Sequence, residues 1–251
     1  EVDSSIQTNC LAMASISFMP MATPPASLGS DVPAARVLVR FIPSVPGYLY
    51  GVKDNNIYVN LFAGNTSTIK VNGKDVCLEE TNENPWNGDI KIAVKKNGVK
   101  NANLLVRIPG WVRNQVVPSD LYKYSDAEKP AYSVTVNGKA VEADLDANKG
   151  YLPVKNIKKG DVIRIHFDMP VRTVVANGKV ADDKGKVAVE RGPLVYCAEA
   201  VDNDNEPVLR TIMAKKPSFS LVDNYSIENK ETKGAPAFKV KAISTQVYYT
   251  H

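Results

Sequence analysis

Four carboxylates, Glu79, Glu80, Glu83 and Asp89, crowd around the stretch NENPWNG at Asn82–Gly88, with Trp86 among them. Acidic residues beside an aromatic are the raw material of sugar hydrolysis, in which one carboxyl protonates the leaving oxygen and another attacks or activates water. That chemistry needs two carboxyls at a set separation across a sugar ring, and closeness within a loop does not supply it. Trp86 can stack on a sugar or fill the junction between two packed units, and Trp111, after Pro109-Gly110, offers the same two roles. Both tryptophans are read as sugar or interface contacts, with packing the heavier claim. His166 shares the polar side of VIRIHFDM with Arg164 and Asp168, and no second histidine stands at ligand spacing from it. It reads as a surface histidine, and Asp168 can pair with it or with Arg164 as a surface ion pair. His251 is the last residue. Cys10, Cys77 and Cys197 lie far apart with no CxxC pair, which matches neither a disulfide framework nor a metal site. No Gly-rich phosphate loop, Ser-His-Asp order or HExxH occurs. No catalytic, cofactor-binding or metal-ligating residue is therefore assigned, and a hydrolase with every catalytic group inside this chain is not expected.

The elements that must carry these residues read as strands. Val162–Met169 has a clean period of two, with Ile163, Ile165, Phe167 and Met169 on one side and Arg164, His166 and Asp168 on the other. Ile57–Phe62, Ile90–Val94 and Leu104–Ile108 read alike. Asn-Gly-Lys recurs at Asn72, Asn137 and Asn177, and Asn-Gly supplies the two positive φ angles of a tight hairpin turn, so each triplet predicts a hairpin tip. In Lys186–Glu199 (KVAVERGPLVYCAE), Gly192-Pro193 forces a break or bulge between two strand segments. After Asp202 the signal weakens, with strands expected at Val208–Met213 and Phe238–Val247 and a polar connection at Asn224–Pro236. No stretch of about 12 residues carries the i, i+3, i+4, i+7 pattern of an amphipathic helix, so the fold class is all-β.

The 251 residues suffice for one or two β-sandwich units. A 44% hydrophobic and 23% charged composition excludes extensive disorder, and a net charge of +4 spread among acidic residues does not favour nucleic-acid binding. No apolar run approaches the ~20 residues that span a bilayer, so a soluble chain is expected, and Leu11–Ala26 lacks the basic flank of a signal peptide. Residues 1–38 contain no lysine, and Leu11–Leu38, punctuated by Pro20, Pro24, Pro25 and Pro33, shows neither helical nor strand period. The domain reading is an irregular segment at 1–38, a β-sandwich at 39–170, and a second β unit or a continuation of the same sandwich at 171–251.

A set of segments in this order resembles the C-terminal part of glycoside hydrolase family 127, the β-L-arabinofuranosidase-like enzymes. They are Val39–Tyr50 (VRFIPSVPGYLY), Ile57–Asn65 (IYVNLFAGN), Glu80–Asp89 (ETNENPWNGD), Leu104–Trp111 (LLVRIPGW), Tyr132–Gly138 (YSVTVNG), Gly150–Arg172 and Lys186–Glu199. The resemblance implies the jelly-roll-like β-sandwich region that follows an (α/α)6 barrel in the full-length enzymes. It also implies that the family's chemistry, a zinc ion held by cysteines and a glutamate with one cysteine as nucleophile, belongs to that missing barrel. Two of those cysteines fall in a Cys-Cys-Pro motif just before the segment matching Val39–Tyr50, where this chain reads Asp31-Val32-Pro33-Ala34-Ala35-Arg36-Val37. Codons for Ser30–Val37 such as tcg gat gtg cct gct gcc cga gta, read out of phase, encode Gly-Cys-Ala-Cys-Cys-Pro-Ser. A frameshifted tract over about Ala12–Leu38 is therefore expected, irregular in structure. The functional expectation is a non-catalytic fragment of a hydrolase of plant-type, arabinose-containing glycans, inactive alone, with no cofactor of its own and zinc only in the full-length family. Its partners would be the missing barrel, a glycan or a second copy of itself, and its location periplasmic or extracellular. The alternatives are a carbohydrate-binding β-sandwich module or a structural interaction domain.

Overall fold

A computed structural model describes residues 11–20, 41–200, 203, 208–222, 226–227, 230–231 and 237–245. Its regular elements are strands; helical structure among the described residues is confined to short turns such as Ile42–Ser44 and Pro46–Leu49. The all-β expectation holds. None of these helices is long and apolar enough to cross a membrane. The chain forms two compact units, residues 1–22 with 188–251 and residues 23–187.

The smaller unit opens with β1 (Leu11–Pro20). The larger one contains β2 (Tyr50–Lys53), β3 (Asn56–Val59), β4 (Asn65–Val71), β5 (Lys74–Asn82), β6 (Asp89–Asn97) and β7 (Asn103–Arg107). It continues with β8 (Tyr122–Tyr124), β9 (Tyr132–Val136), β10 (Lys139–Ala140), β11 (Tyr151–Val154), β12 (Val162–Phe167) and β13 (Val171–Ala176). A six-stranded antiparallel sheet runs β10-β9-β12-β6-β5-β4, and a four-stranded sheet runs β11-β7-β3-β2. β3 and β7 are parallel, so the chain between them must cross, and it does so by building β4, β5 and β6 of the other sheet.

Alternation makes the core. Val76 and Leu78 of β5, Ile90, Ile92 and Val94 of β6, Val134 of β9, and Ile163, Ile165 and Phe167 of β12 share one buried cluster with Ile57, Val59, Leu104, Val106, Leu152 and Val154 of the smaller sheet. Each such side chain removed from water contributes about 1.5–3 kcal/mol. The intervening residues of β6 and β12, Asp89 and Lys91, Arg164 and His166, are exposed on the outer face.

Two of the three Asn-Gly-Lys triplets turn hairpins. Asn72 and Gly73 (φ 48° and 75°) close β4 on β5, and Asn137 and Gly138 (φ 51° and 82°) close β9 on β10. The third does not. Asn177 follows β13, its side chain accepts the Lys179 N–H at 3.1 Å, and it anchors to Leu121 and Asp120 instead of folding a strand back. The next strand, Val187–Arg191, starts well beyond it, so the triplet sits in a longer connection.

The smaller unit is completed by β14 (Val187–Arg191), β15 (Leu194–Cys197), β16 (Thr211–Met213), β17 (Phe219–Val222), the short pair β18 (Ser226–Ile227) and β19 (Lys230–Glu231), and β20 (Ala237–Thr245). The expected break at Gly192-Pro193 is the two-residue turn of the β14–β15 hairpin, with Gly192 at φ 57° as its first corner. β1 pairs with β20 from Leu11↔Thr245 to Phe18↔Phe238, and its last residues pair with β15. Leu11–Pro20 is thus a strand, contrary to the irregular segment expected there, and this removes irregularity as a support for a frameshift over those residues. Residues 21–38, with Ala34 and Ala35, lie outside the described residues. The strand is specified by its partner: β20 alternates buried Phe238, Val240 and Ala242 with exposed Lys239 and Lys241, and a backbone ladder needs no alternation from the strand it recruits.

Candidate functional site

The four carboxylates around NENPWNG do different things. Glu79 points outward and pairs with Lys95 at 2.6 Å. Glu83 accepts a hydrogen bond from the Asn87 amide within the turn. Asp89 accepts from His166 Nδ1 at 2.7 Å, and Asp168 takes Nε2 at 3.1 Å. The two carboxylates hold the imidazole between them and raise its pKa, the hydrogen bond to Asp89 contributing most. Asp168 thus pairs with His166 and not with Arg164.

Glu80 is the exception, only 1% exposed. It keeps the inward parity of Val76 and Leu78 along β5, so the strand drives a carboxyl into the end of the core. Asn82 Nδ2 donates to Oε1 at 2.7 Å and the Tyr50 hydroxyl to Oε2 at 3.3 Å, while Asn65, bonded to Tyr50 and Ser67, closes the network. Burial pushes Glu80 up to about 7 against the hydrogen bonds it accepts, and pushes Tyr50 up to about 12 against its bond with Asn65, the nearby Glu80 adding to the rise. The network ties β2 of one sheet to β4 and β5 of the other. Asn65, which heads an N-x-S acceptor pattern, is spent inside it.

Trp111 is partly buried against the core and meets Phe167 edge-on at 5.7 Å between ring centroids. Trp86 is half-buried in the turn after the cis Asn84–Pro85 peptide, its N–H donating to Glu83 O at 2.9 Å. Nothing in this geometry brings the two rings onto one platform.

Sequence reasoning missed two features. One is Arg172, 6% exposed, whose Nη2 donates to Asp126 Oδ1 and to Asn114 Oδ1 at 2.5 Å each and whose guanidinium lies 3.5 Å from the Tyr124 ring centroid. The other is an open groove of about 760 Å³ on the outer face of the six-stranded sheet, bordered by Asn82, Glu83 and Asn87 of the NENPWNG turn. Its floor is two cross-strand rows, Thr135–Arg164–Lys91–Thr81 and Ser133–His166–Asp89. The polar parity of each strand was readable, but which strands lie side by side was not.

Among the described residues no three of His, Cys, Asp and Glu gather as a metal site. Cys77 lies in β5 of the larger unit and Cys197 in β15 of the smaller one, so the described residues do not fit the zinc centre that the resemblance implies.

The match to known families decides what these sandwich strands belong to. The description "Beta-L-arabinofuranosidase, GH127 middle domain" matches residues 56–169, and "Glycoside hydrolase family 127 C-terminal domain" matches residues 171–243. The chain belongs to glycoside hydrolase family 127. A non-reducing end β-L-arabinofuranosidase of Bifidobacterium longum subsp. longum is 33% identical over 176 residues, 67% of this chain and 23% of that protein. A solved family 127 β-arabinofuranosidase is 39% identical with a TM-score of 0.73, covering 91% of this chain and 38% of the other. A third, a β-L-arabinofuranosidase of Geobacillus stearothermophilus T6, is 24% identical with a TM-score of 0.63 over 83% of this chain and 34% of its own, and shares the fold. The family 127 chain described here thus spans well under half the length of these relatives. By packing, β13 belongs with the larger unit, whereas the C-terminal family description begins at residue 171.

Proposed function

We propose that this chain is the non-catalytic β-sandwich part of a β-L-arabinofuranosidase-like hydrolase acting on plant-type, arabinose-containing glycans. The observation that carries this is the pair of family matches: the chain answers to the middle and C-terminal domains in sequence and covers 23% of a curated β-L-arabinofuranosidase. The sandwich contributes a rigid scaffold, and its partner is a catalytic barrel that supplies the zinc and the nucleophile. A periplasmic or extracellular location fits a glycan substrate. Incubation with an aryl β-L-arabinofuranoside tests the reading: the chain alone should release no aryl alcohol above background. A second measurement adds the catalytic barrel of a family 127 relative and should detect association with it. Turnover by the chain alone, or absence of any association, overturns the proposal.

A further inference from the structure

Arg164 and Lys91 stand opposite each other on β12 and β6, with Thr135 beyond the first and Thr81 beyond the second. Like charges directly across a sheet repel and weaken the pairing. Elsewhere on this sheet Lys95 pairs with Glu79, and Lys70 and Lys96 both pair with Asp75. Arg164 and Lys91 make no ion pair among the described residues. Glu79 feels Lys91 only as a further charge, its carboxylate being engaged by Lys95. The two acids in the groove are likewise committed, Asp89 to His166 and Glu83 to Asn87. Two adjacent cations thus face an open groove beside hydroxyls and amides, on strands fixed from below by Ile90 and Ile165.

We infer that this groove binds a carboxylated saccharide, a uronic-acid-bearing oligosaccharide whose carboxylate sits between Arg164 and Lys91. Arg164 offers a planar fork that matches a carboxylate in two parallel hydrogen bonds, and Lys91 adds a point charge. Ser133, Thr135 and Asn87 supply the hydroxyl and amide partners that a sugar ring needs. The row of four strands spans about 14 Å at the usual strand spacing, which is longer than a bare inorganic anion requires. Asp89 in the floor and Glu83 at the border repel a densely charged polyanion, so a single carboxylate among neutral hydroxyls is the better fit. Because the strands are already fixed, little ordering cost is added on binding.

The inference stands on the groove and does not require the chain to be part of a hydrolase, since binding is measured without turnover. Titration of the full chain with trigalacturonic acid, followed by calorimetry and backbone amide shifts, should give a Kd below about 1 mM with shifts centred on β6, β9 and β12. Combined Arg164→Gln and Lys91→Gln should weaken it at least about tenfold while the melting temperature holds or rises, because the repulsion is gone. Neutral galactotriose should not bind, and equimolar sodium sulfate should not compete. The inference is overturned by no binding up to about 10 mM, by equal affinity for galactotriose, by an unchanged Kd in the folded double variant, or by sulfate binding as tightly as the saccharide, which would make this a free-anion site.

Discussion

Glu80 is a carboxyl held where hydrophobic residues belong, and its proton is therefore coupled to folding. Its pKa rises from 4.5 to about 7 on burial, so the folded state binds the proton more tightly than the unfolded chain. The sign follows: the favourable contribution is complete below the unfolded value and is lost as pH rises toward 7, a change on the order of 3 kcal/mol. Glu80→Gln keeps the shape and an acceptor for Asn82 but cannot ionise, so the variant should be less pH-dependent between about pH 5 and 8 and more stable at the upper end by about 2 kcal/mol. Urea denaturation across that range checks this, and parallel curves for the two proteins would refute it. Gly88 is a second single-residue constraint. A Cβ there would lie 1.9 Å from Phe167 O, because the backbone of the NENPWNG turn closes on β12 through the Phe167 N–H to Gly88 O bond of 3.1 Å. The obstacle is main chain and cannot rotate away. Gly88→Ala should cost about 2–3 kcal/mol by thermal or urea unfolding and loosen the border of the groove.

At the scale of elements, β13 and β8 are joined by more than their ladder. Arg172 is buried at the start of β13, and its guanidinium gathers Asp126 and Asn114 while stacking on Tyr124 of β8. Lysine would keep the charge but lose the fork and the stacking, so Arg172→Lys should destabilise by about 2–4 kcal/mol; Asp126→Asn, at a partly exposed partner, should cost less. Chemical denaturation of the two variants checks the order. The strands themselves were legible wherever one face is dry: Ile163, Ile165 and Phe167 announce β12, and Asn72-Gly73 announces its turn. Glu80 was legible too, since it shares the parity of Val76 and Leu78, but in the sequence it looked like one of four surface acids. What could not be read was partnership. β1 carries too little alternation to announce itself and exists because β20 offers a ladder; the Arg164–Lys91 row exists because β12 and β6, about 70 residues apart, lie in register. Asn177 shows the converse, a local turn signal that sits in a longer connection instead of at a hairpin tip.

For the whole molecule, the exposed apolar residues just before and within β2 of the larger unit offer a candidate docking surface. Phe41, Ile42 and Tyr48 are 56%, 63% and 59% exposed, and Val52 is exposed too, whereas Leu49 is buried and Tyr50 turns inward to Glu80. By residue type alone, Phe41, Ile42, Val45, Tyr48 and Tyr50 read in the sequence as one apolar group. Val45 is half-buried and Tyr50 leaves the group, so the surface is smaller than expected but centred on the same two turns. Large apolar side chains gathered at a surface mark an interaction site. Since the chain covers 38% of a solved relative, the proposed occupant is the catalytic barrel of a family 127 enzyme. With the barrel absent, the same surface should pair copies of the chain. Light scattering at rising concentration should show reversible self-association, and Phe41→Ser with Ile42→Ser should shift it toward monomer with little loss of stability, because neither side chain is in the core. Adding the barrel should dissolve the self-association by competing for the same residues. A monomer at all concentrations, or self-association unchanged by the double substitution, would remove this surface as the docking face.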